Sequence, residues 1–148
     1  EIIVGGVYQP LTDEFFWAVK GRGAFCNNLR LRVSSRENLE NCMIGTGIPH
    51  RGMKGHEKYL PGLKTVMENV CGIRRLGAAS LDLAYVAAGK YDGYWEKNLK
   101  LVDIAAGSLI VKEAGGKVTD FEGREEYLNS GRILATNFRI HDQLQKII

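Results

Sequence analysis

Two acidic residues seven positions apart, Glu96 and Asp103, have the clearest potential for chemistry in this sequence. Asp103 lies where a predicted loop gives way to a predicted helix over residues 103–114. An aspartate at a helix start is most often an N-cap, whose carboxylate accepts backbone N–H bonds and is favoured by the helix dipole. A carboxylate is also a ligand that Mg2+ prefers. The two roles are compatible, because one oxygen can cap the helix while the other binds a cation.

Glu96 ends a short aromatic segment, residues 92–96, that we interpret as a strand. Its carboxylate can accept two hydroxyl hydrogen bonds and would therefore suit a polyol. The alternative is a solvated strand end. Lys100, in the loop that follows, has the reach to contact a phosphate, although a lone loop lysine is more often simply solvated.

The turn before the second predicted helix consists of small residues, Gly77, Ala78 and Ala79, followed by Ser80. Small side chains let a ligand approach the backbone, and the free N–H groups of a helix start favour anions. The alternative is close packing of a strand–helix turn with Ser80 as N-cap. Asp82 is expected to support the first turn of this helix.

Length and composition restrict the class of protein. The 148 residues suffice for one domain with a real core, and the net charge of +3 suits a phosphorylated substrate without indicating nucleic acid or an anionic membrane. The three cysteines are widely spaced and odd in number, which favours reduced thiols in a cytoplasm. The sequence begins without Met and in a strand-like segment, so we expect it to continue a longer protein and to lack a signal peptide.

Hydrophobic periodicity predicts antiparallel strands in the first 35 residues and alternating strands and helices from residue 36 to 148. The second part therefore reads as an α/β unit with a mixed sheet. The strands are predicted at 2–8, 15–19, 24–26, 29–33, 42–45, 72–76, 92–96, 117–121 and 132–135. The helices are predicted at 57–69, 80–88, 103–114 and 139–148, and a loop is predicted at 46–55.

Four stretches of the sequence resemble the inositol monophosphatase family, particularly its bacterial extragenic-suppressor members. The most specific is the signature at 103–116, which begins Asp103-Ile104-Ala105-Ala106-Gly107 and ends at Gly115-Gly116. The others are the hairpin at 6–25, the turn and helix at 75–89, and the strand at 92–96. The resemblance as a whole covers essentially the entire chain, and these four stretches carry it.

The resemblance implies roles for individual residues. Asp103 matches a metal ligand and Glu96 a residue that contacts inositol hydroxyls, while Gly77, Ala78 and Ala79 match the turn beside the substrate. Thr46 and Gly47 match a loop that lines the pocket. The family's layered αβαβα fold implies that residues 1–35 are the last strands of its first sheet. Its members use Mg2+ to activate water and stabilise the leaving oxygen, and they usually form homodimers.

Two departures from the family pattern matter. The string Asp-Pro-x-Asp-Gly-Thr, which supplies most metal ligands, is absent, as is the glutamate upstream of it. No catalytic residue is therefore assigned within this chain, which is expected to be inactive by itself. Val102 replaces the tryptophan that commonly precedes the metal-binding aspartate, which leaves substrate preference open.

The leading functional hypothesis is Mg2+-dependent hydrolysis of a small phosphate monoester by the full-length protein, with inositol monophosphate as the favoured substrate. Relatives that act on fructose bisphosphate, NADP or histidinol phosphate are alternatives within the enzymes. A binding role in transcription complexes is an alternative from another class. In a third alternative, Asp103 only caps its helix and no metal site exists.

Overall fold

The first part of the chain is an antiparallel meander of four strands. The structure, a computed structural model, describes residues 1–50, 52 and 54–148. The strands are β1 (Val4–Gln9), β2 (Glu14–Val19), β3 (Gly23–Cys26) and β4 (Leu29–Arg30). Phe16 and Ala18 are buried and alternate with more exposed neighbours, as expected for a sheet that packs on one face.

The rest of the described chain alternates between strands and helices around a second sheet. Its strands are β5 (Met43–Thr46), β6 (Gly72–Arg74), β7 (Gly93–Glu96), β8 (Lys117–Thr119) and β9 (Ile133–Thr136). Its helices are α1 (His56–Asn69), α2 (Ala79–Ala87), α3 (Leu101–Glu113), α4 (Tyr127–Ser130) and α5 (His141–Gln145). The strand order is β6-β5-β7-β9-β8, in which β5, β6 and β7 are parallel and β9 is antiparallel to both neighbours. The predicted α/β class with a mixed sheet is confirmed.

The elements stack in layers. Helices α2 and α3 lie between the two sheets, and one apolar cluster joins Phe16 of the first sheet, Leu83 of α2 and Tyr94 of the second sheet. A second cluster joins the other face of the second sheet to α1 and α5 through Trp95 and Leu144. The division of the chain at residue 35 stays a prediction. Within the described residues, no helix combines the length and apolarity needed to cross a membrane.

Some element boundaries differ from the prediction. Helix α3 starts at Leu101, two residues before Asp103, because the Asp103 carboxylate accepts the Lys100 N–H from inside the first turn at 2.8 Å. Helix α5 covers only His141–Gln145 of the predicted 139–148. The chain enters it through Phe138, whose φ of 76° is incompatible with a helix.

Other segments also depart from the prediction. Helix α4 and a short 3-10 turn at Leu39–Asn41 were not predicted. The predicted strand at 29–33 pairs only over Leu29–Arg30. Within the predicted loop at 46–55, Arg51 and Met53 lie outside the described residues.

The crossing of α2 and α3 depends on Gly107. A Cβ at this position would lie 2.6 Å from the Cβ of Leu83, which is buried on the facing helix. We expect Gly107→Ala to lower the free energy of unfolding by roughly 1–3 kcal/mol through overpacking. Denaturant unfolding measures the sign of this change in the free energy of unfolding. In an uncrowded helix, the same substitution would raise the free energy of unfolding by about 1 kcal/mol. A stabilised variant would contradict the close crossing.

Candidate functional site

The candidate site lies where three parallel strands of the second sheet end. Gly47 follows β5, Arg75 follows β6, and Glu96 is the last residue of β7. Since β5 is parallel to both β6 and β7, these residues meet at one edge of the sheet. Ligands of open α/β sheets bind outside the carboxyl ends of such strands.

A cleft of about 400 Å3 opens at this edge. It is lined by the start of α2, by the loop from β7 to α3, and by residues that follow β5. Six of the seven predicted site residues share its wall: Gly47, Gly77, Ala78, Ala79, Glu96 and Asp103. Segments far apart in sequence therefore converge on one cavity.

Thr46 departs from the expectation that it lines the pocket. It is fully buried at the end of β5, where its hydroxyl donates to the Trp95 carbonyl at 2.8 Å and is hydrogen-bonded to the Tyr59 hydroxyl. Strand alternation turns Thr46 towards the core on the α1 side. Its side chain therefore stabilises the strands next to the cleft and does not line the cleft.

The Glu96 carboxylate is half-buried in the cleft. It accepts a hydrogen bond from the Tyr94 hydroxyl, and it lies so close to Gly47 that a Cβ there would overlap it. Burial raises the pKa of Glu96, while the Tyr94 hydrogen bond and the Arg75 charge lower it and the Asp103 charge raises it further. A carboxylate in this setting is an acceptor with a restricted orientation.

Asp103 occupies the first turn of α3 as the third helical residue. One oxygen, Oδ2, accepts the Lys100 N–H, so the capping role holds in a modified form with Lys100 as N-cap. Among the described residues, no hydrogen bond to the other oxygen, Oδ1, is found, so it can accept one from a ligand in the cleft. A half-buried carboxylate at a cleft wall fits one position of a hard-cation site. Across the described ranges, no three acidic, histidine or cysteine side chains cluster as a metal site.

Asp82 lies behind the cleft in the first turn of α2. Its pKa is raised to about 7, first by burial and then by the Glu96 charge, while Arg75 and a hydrogen bond from the Ala78 backbone lower it. Its Oδ1 is buried without a hydrogen-bond partner among the described atoms. The first-turn position agrees with the prediction, whereas the burial of the carboxyl does not follow from helical periodicity.

Several cleft residues were not singled out as site residues from the sequence. Arg75 and Lys97 bring positive charge to the wall, and His50 lines it too. The hydroxyl of Tyr94 was also missed. The alternation of strand β7 offered a signal, since residues two apart face the same side and Tyr94 stands two before Glu96. Lys100 is exposed at the start of α3 and is not among the residues of the cleft wall.

Comparison with known proteins gives consistent results. The model of the inositol monophosphatase family matches residues 1–148. Inositol-1-monophosphatase of Rhizobium meliloti (strain 1021) is 51% identical over 148 residues, which cover 100% of this chain and 56% of that protein. A putative Nus factor SuhB of Neisseria meningitidis serogroup B is 49% identical over 142 residues, which cover 96% of this chain and 54% of that protein.

A solved structure supports the same relationship. The extragenic suppressor protein suhB from Bartonella henselae superposes with a TM-score of 0.95 at 51% identity, over 98% of this chain and 56% of that chain. The chain thus spans about half the length of the relatives it matches. The matches in sequence and in structure lead to one assignment: the chain belongs to the inositol monophosphatase family.

Proposed function

We propose that the complete protein hydrolyses inositol monophosphate to inositol and phosphate with the help of Mg2+. The observation that carries this proposal is the presence of Glu96 and Asp103 in one cleft at the carboxyl edge of the parallel strands. A polyol phosphate needs a hydroxyl acceptor and a place for its phosphate. In this cleft, the oriented carboxylate of Glu96 can accept hydrogen bonds from the hydroxyls. The positively charged wall and the start of α2 can bind the phosphate.

The residues of this chain have distinct roles in the proposal. Glu96 accepts hydrogen bonds from the polyol hydroxyls. Gly77, Ala78 and Ala79 let the substrate approach the backbone at the start of α2, where N–H groups favour anions. Asp103 would hold one Mg2+ through its carboxylate. When bound, Mg2+ supplies charge neutralisation at the phosphate and an acidified water. Asp103 is one ligand, so other ligands must come from water or from elsewhere in the complete protein.

Phosphate release by the complete protein tests this function. We expect release from inositol monophosphate with Mg2+ and its loss after chelation, with recovery when Mg2+ is returned. The control is a panel of fructose bisphosphate, NADP and histidinol phosphate, the substrates of the alternative phosphatase readings. If one of those compounds has a higher kcat/KM than inositol monophosphate, that compound would be assigned as the substrate instead. Release that is indifferent to chelation would contradict the metal role.

A transcription-associated binding role is the second candidate. Its support is the relative described as a putative Nus factor SuhB, which matches 96% of this chain. Such a role depends on exposed surface, so it should survive Asp103→Asn. A pull-down of transcription complexes with wild type and this variant distinguishes the roles. Partner loss together with catalysis would count against an independent binding role.

We also propose that the complete protein works in the cytoplasm as a homodimer. The family resemblance supports the dimer, and the free thiols Cys26, Cys42 and Cys71 support a reducing compartment. Light scattering of the purified protein measures its mass directly. A monomer at micromolar concentration would contradict the dimer.

A further inference from the structure

The hydroxyl of Tyr94 is committed to Glu96. Tyr94 is fully buried in β7, and the two side chains lie on the same face of the strand. The hydroxyl donates to Oε2 of Glu96. Burial and the nearby carboxylates raise the pKa of Tyr94 strongly, so the phenol keeps its proton and remains a donor. A buried hydroxyl that lost this acceptor would raise the free energy of the folded protein, so the hydrogen bond restricts both the ring and the carboxylate.

Gly47 determines the space that is available to the same carboxylate. A Cβ on Gly47 would overlap Cδ and both oxygens of Glu96. The carboxylate therefore lies against the backbone at the end of β5, in space that only a glycine leaves free. Oε2 is bonded to Tyr94, and no hydrogen bond to Oε1 is found among the described residues, so Oε1 can accept one from a ligand in the cleft.

We propose that Tyr94 is a positioning residue for substrate selection: its hydroxyl fixes Oε2 of Glu96, and Gly47 makes room, so that Oε1 faces the hydroxyls of a polyol phosphate. This inference rests on the proposed function, because it concerns how the same cleft recognises its substrate. It gives the cleft a preference for phosphate monoesters that carry neighbouring hydroxyls over those that carry none.

The test compares two substrates with the complete protein at saturating Mg2+. Inositol 1-phosphate carries ring hydroxyls and p-nitrophenyl phosphate carries none. Hydrogen bonds to charged groups are among the stronger ones in proteins, and losing this one frees the Glu96 carboxylate to rotate away from the substrate. We therefore expect Tyr94→Phe to lower the ratio of kcat/KM for inositol 1-phosphate over p-nitrophenyl phosphate by about five- to tenfold. Most of the change should appear in KM for inositol 1-phosphate.

Two further variants separate positioning from a structural effect. Tyr91→Phe is the matched control, because Tyr91 is also a buried tyrosine and lies just before the same strand. Its ring packs edge-on against that of Tyr85, with 5.6 Å between the ring centroids. It should leave the substrate ratio unchanged. In a Glu96→Ala background, which removes the acceptor of the Tyr94 hydroxyl, Tyr94→Phe should change the ratio by less than about twofold, since coupled residues are not additive.

The outcomes are distinct. If the wild type is active and Tyr94→Phe has the same ratio of kcat/KM for the two substrates, the inference is overturned and the proposed function is unaffected. An undiminished effect of Tyr94→Phe in the Glu96→Ala background would also overturn the inference alone. A wild type that releases phosphate from neither substrate would overturn the proposed function and this inference with it.

Discussion

Asp103→Asn is expected to lower Mg2+-dependent phosphate release from inositol monophosphate by about 100-fold or more in the complete protein. A catalytic metal contributes several kcal/mol to transition-state stabilisation, and each 1.36 kcal/mol corresponds to a factor of ten in rate. The amide is neutral and a poorer ligand for a hard cation than the carboxylate. Initial rates measured over a range of Mg2+ concentrations check the prediction.

The same substitution contains its own control for folding. An asparagine oxygen can still accept the Lys100 N–H that Asp103 Oδ2 accepts at 2.8 Å. The thermal midpoint should therefore change little while activity falls. If the variant retained the wild-type rate and Mg2+ dependence, Asp103 would be only a helix cap.

His141 should make the stability of the fold depend on pH. The ring is fully buried, and burial lowers its pKa to about 4 from an ordinary 6.5. Thr119 Oγ1 donates to the Asp120 carbonyl at 2.7 Å, so it is suited to accept a proton from His141 Nε2 at 2.9 Å. Thr136 Oγ1 accepts the Phe138 N–H, which leaves its own proton for His141 Nδ1 at 2.9 Å. These partners assign a neutral ring with its proton on Nε2.

The sign of the effect follows from the lowered pKa. The unfolded chain binds a proton as the pH falls through 6.5, while the folded protein does not until about pH 4. The contribution of His141 to stability is full above pH 6.5 and is lost towards pH 4, by roughly 3 kcal/mol at 1.36 kcal/mol per pKa unit. Asp82, with its raised pKa, acts in the opposite direction, so the wild-type curve alone does not isolate His141.

A comparison with His141→Gln isolates the residue. The gap in unfolding free energy between wild type and variant should narrow by about 2 kcal/mol from about pH 7.5 to about pH 5, because only the wild type loses this contribution. Denaturant unfolding at each pH measures the gap. An NMR titration in which the folded-state ring of His141 gains its proton near pH 6.5 would contradict the prediction.

Periodicity located most of the strands and helices because burial in this chain follows it. The apolar residues of β2 alternate, and the helices carry one or two buried faces. The start of α3 was misplaced because the capping preference of aspartate does not distinguish an N-cap from the third helical residue. The entry into α5 was misplaced because nothing about Phe138 in sequence indicates a positive φ.

The structure brings together most of the residues that the resemblance assigned to the site, while the roles of these residues stay predictions. Glu96, Asp103 and the small-residue turn lie on the wall of one cleft, whereas the residues alone gave no indication that these distant segments meet. The burial of Thr46 depends on which face of β5 is covered by α1, which only the tertiary structure reveals. Alternation along β7 places Tyr94 and Glu96 on one face of the strand, whereas the space at Gly47 that admits the Glu96 carboxylate depends on how β5 lies beside β7, which only the tertiary structure reveals.

A crystal structure of the complete protein with Mg2+ and inositol 1-phosphate is the most direct test of the central claim, that this cleft binds a polyol phosphate beside a metal. We predict Mg2+ on Oδ1 of Asp103, at the 2.0–2.1 Å that is usual for its oxygen ligands. We also predict inositol hydroxyls within hydrogen-bond distance of Oε1 of Glu96. Inositol phosphate bound away from this cleft, or Mg2+ bound without Asp103, would contradict the account.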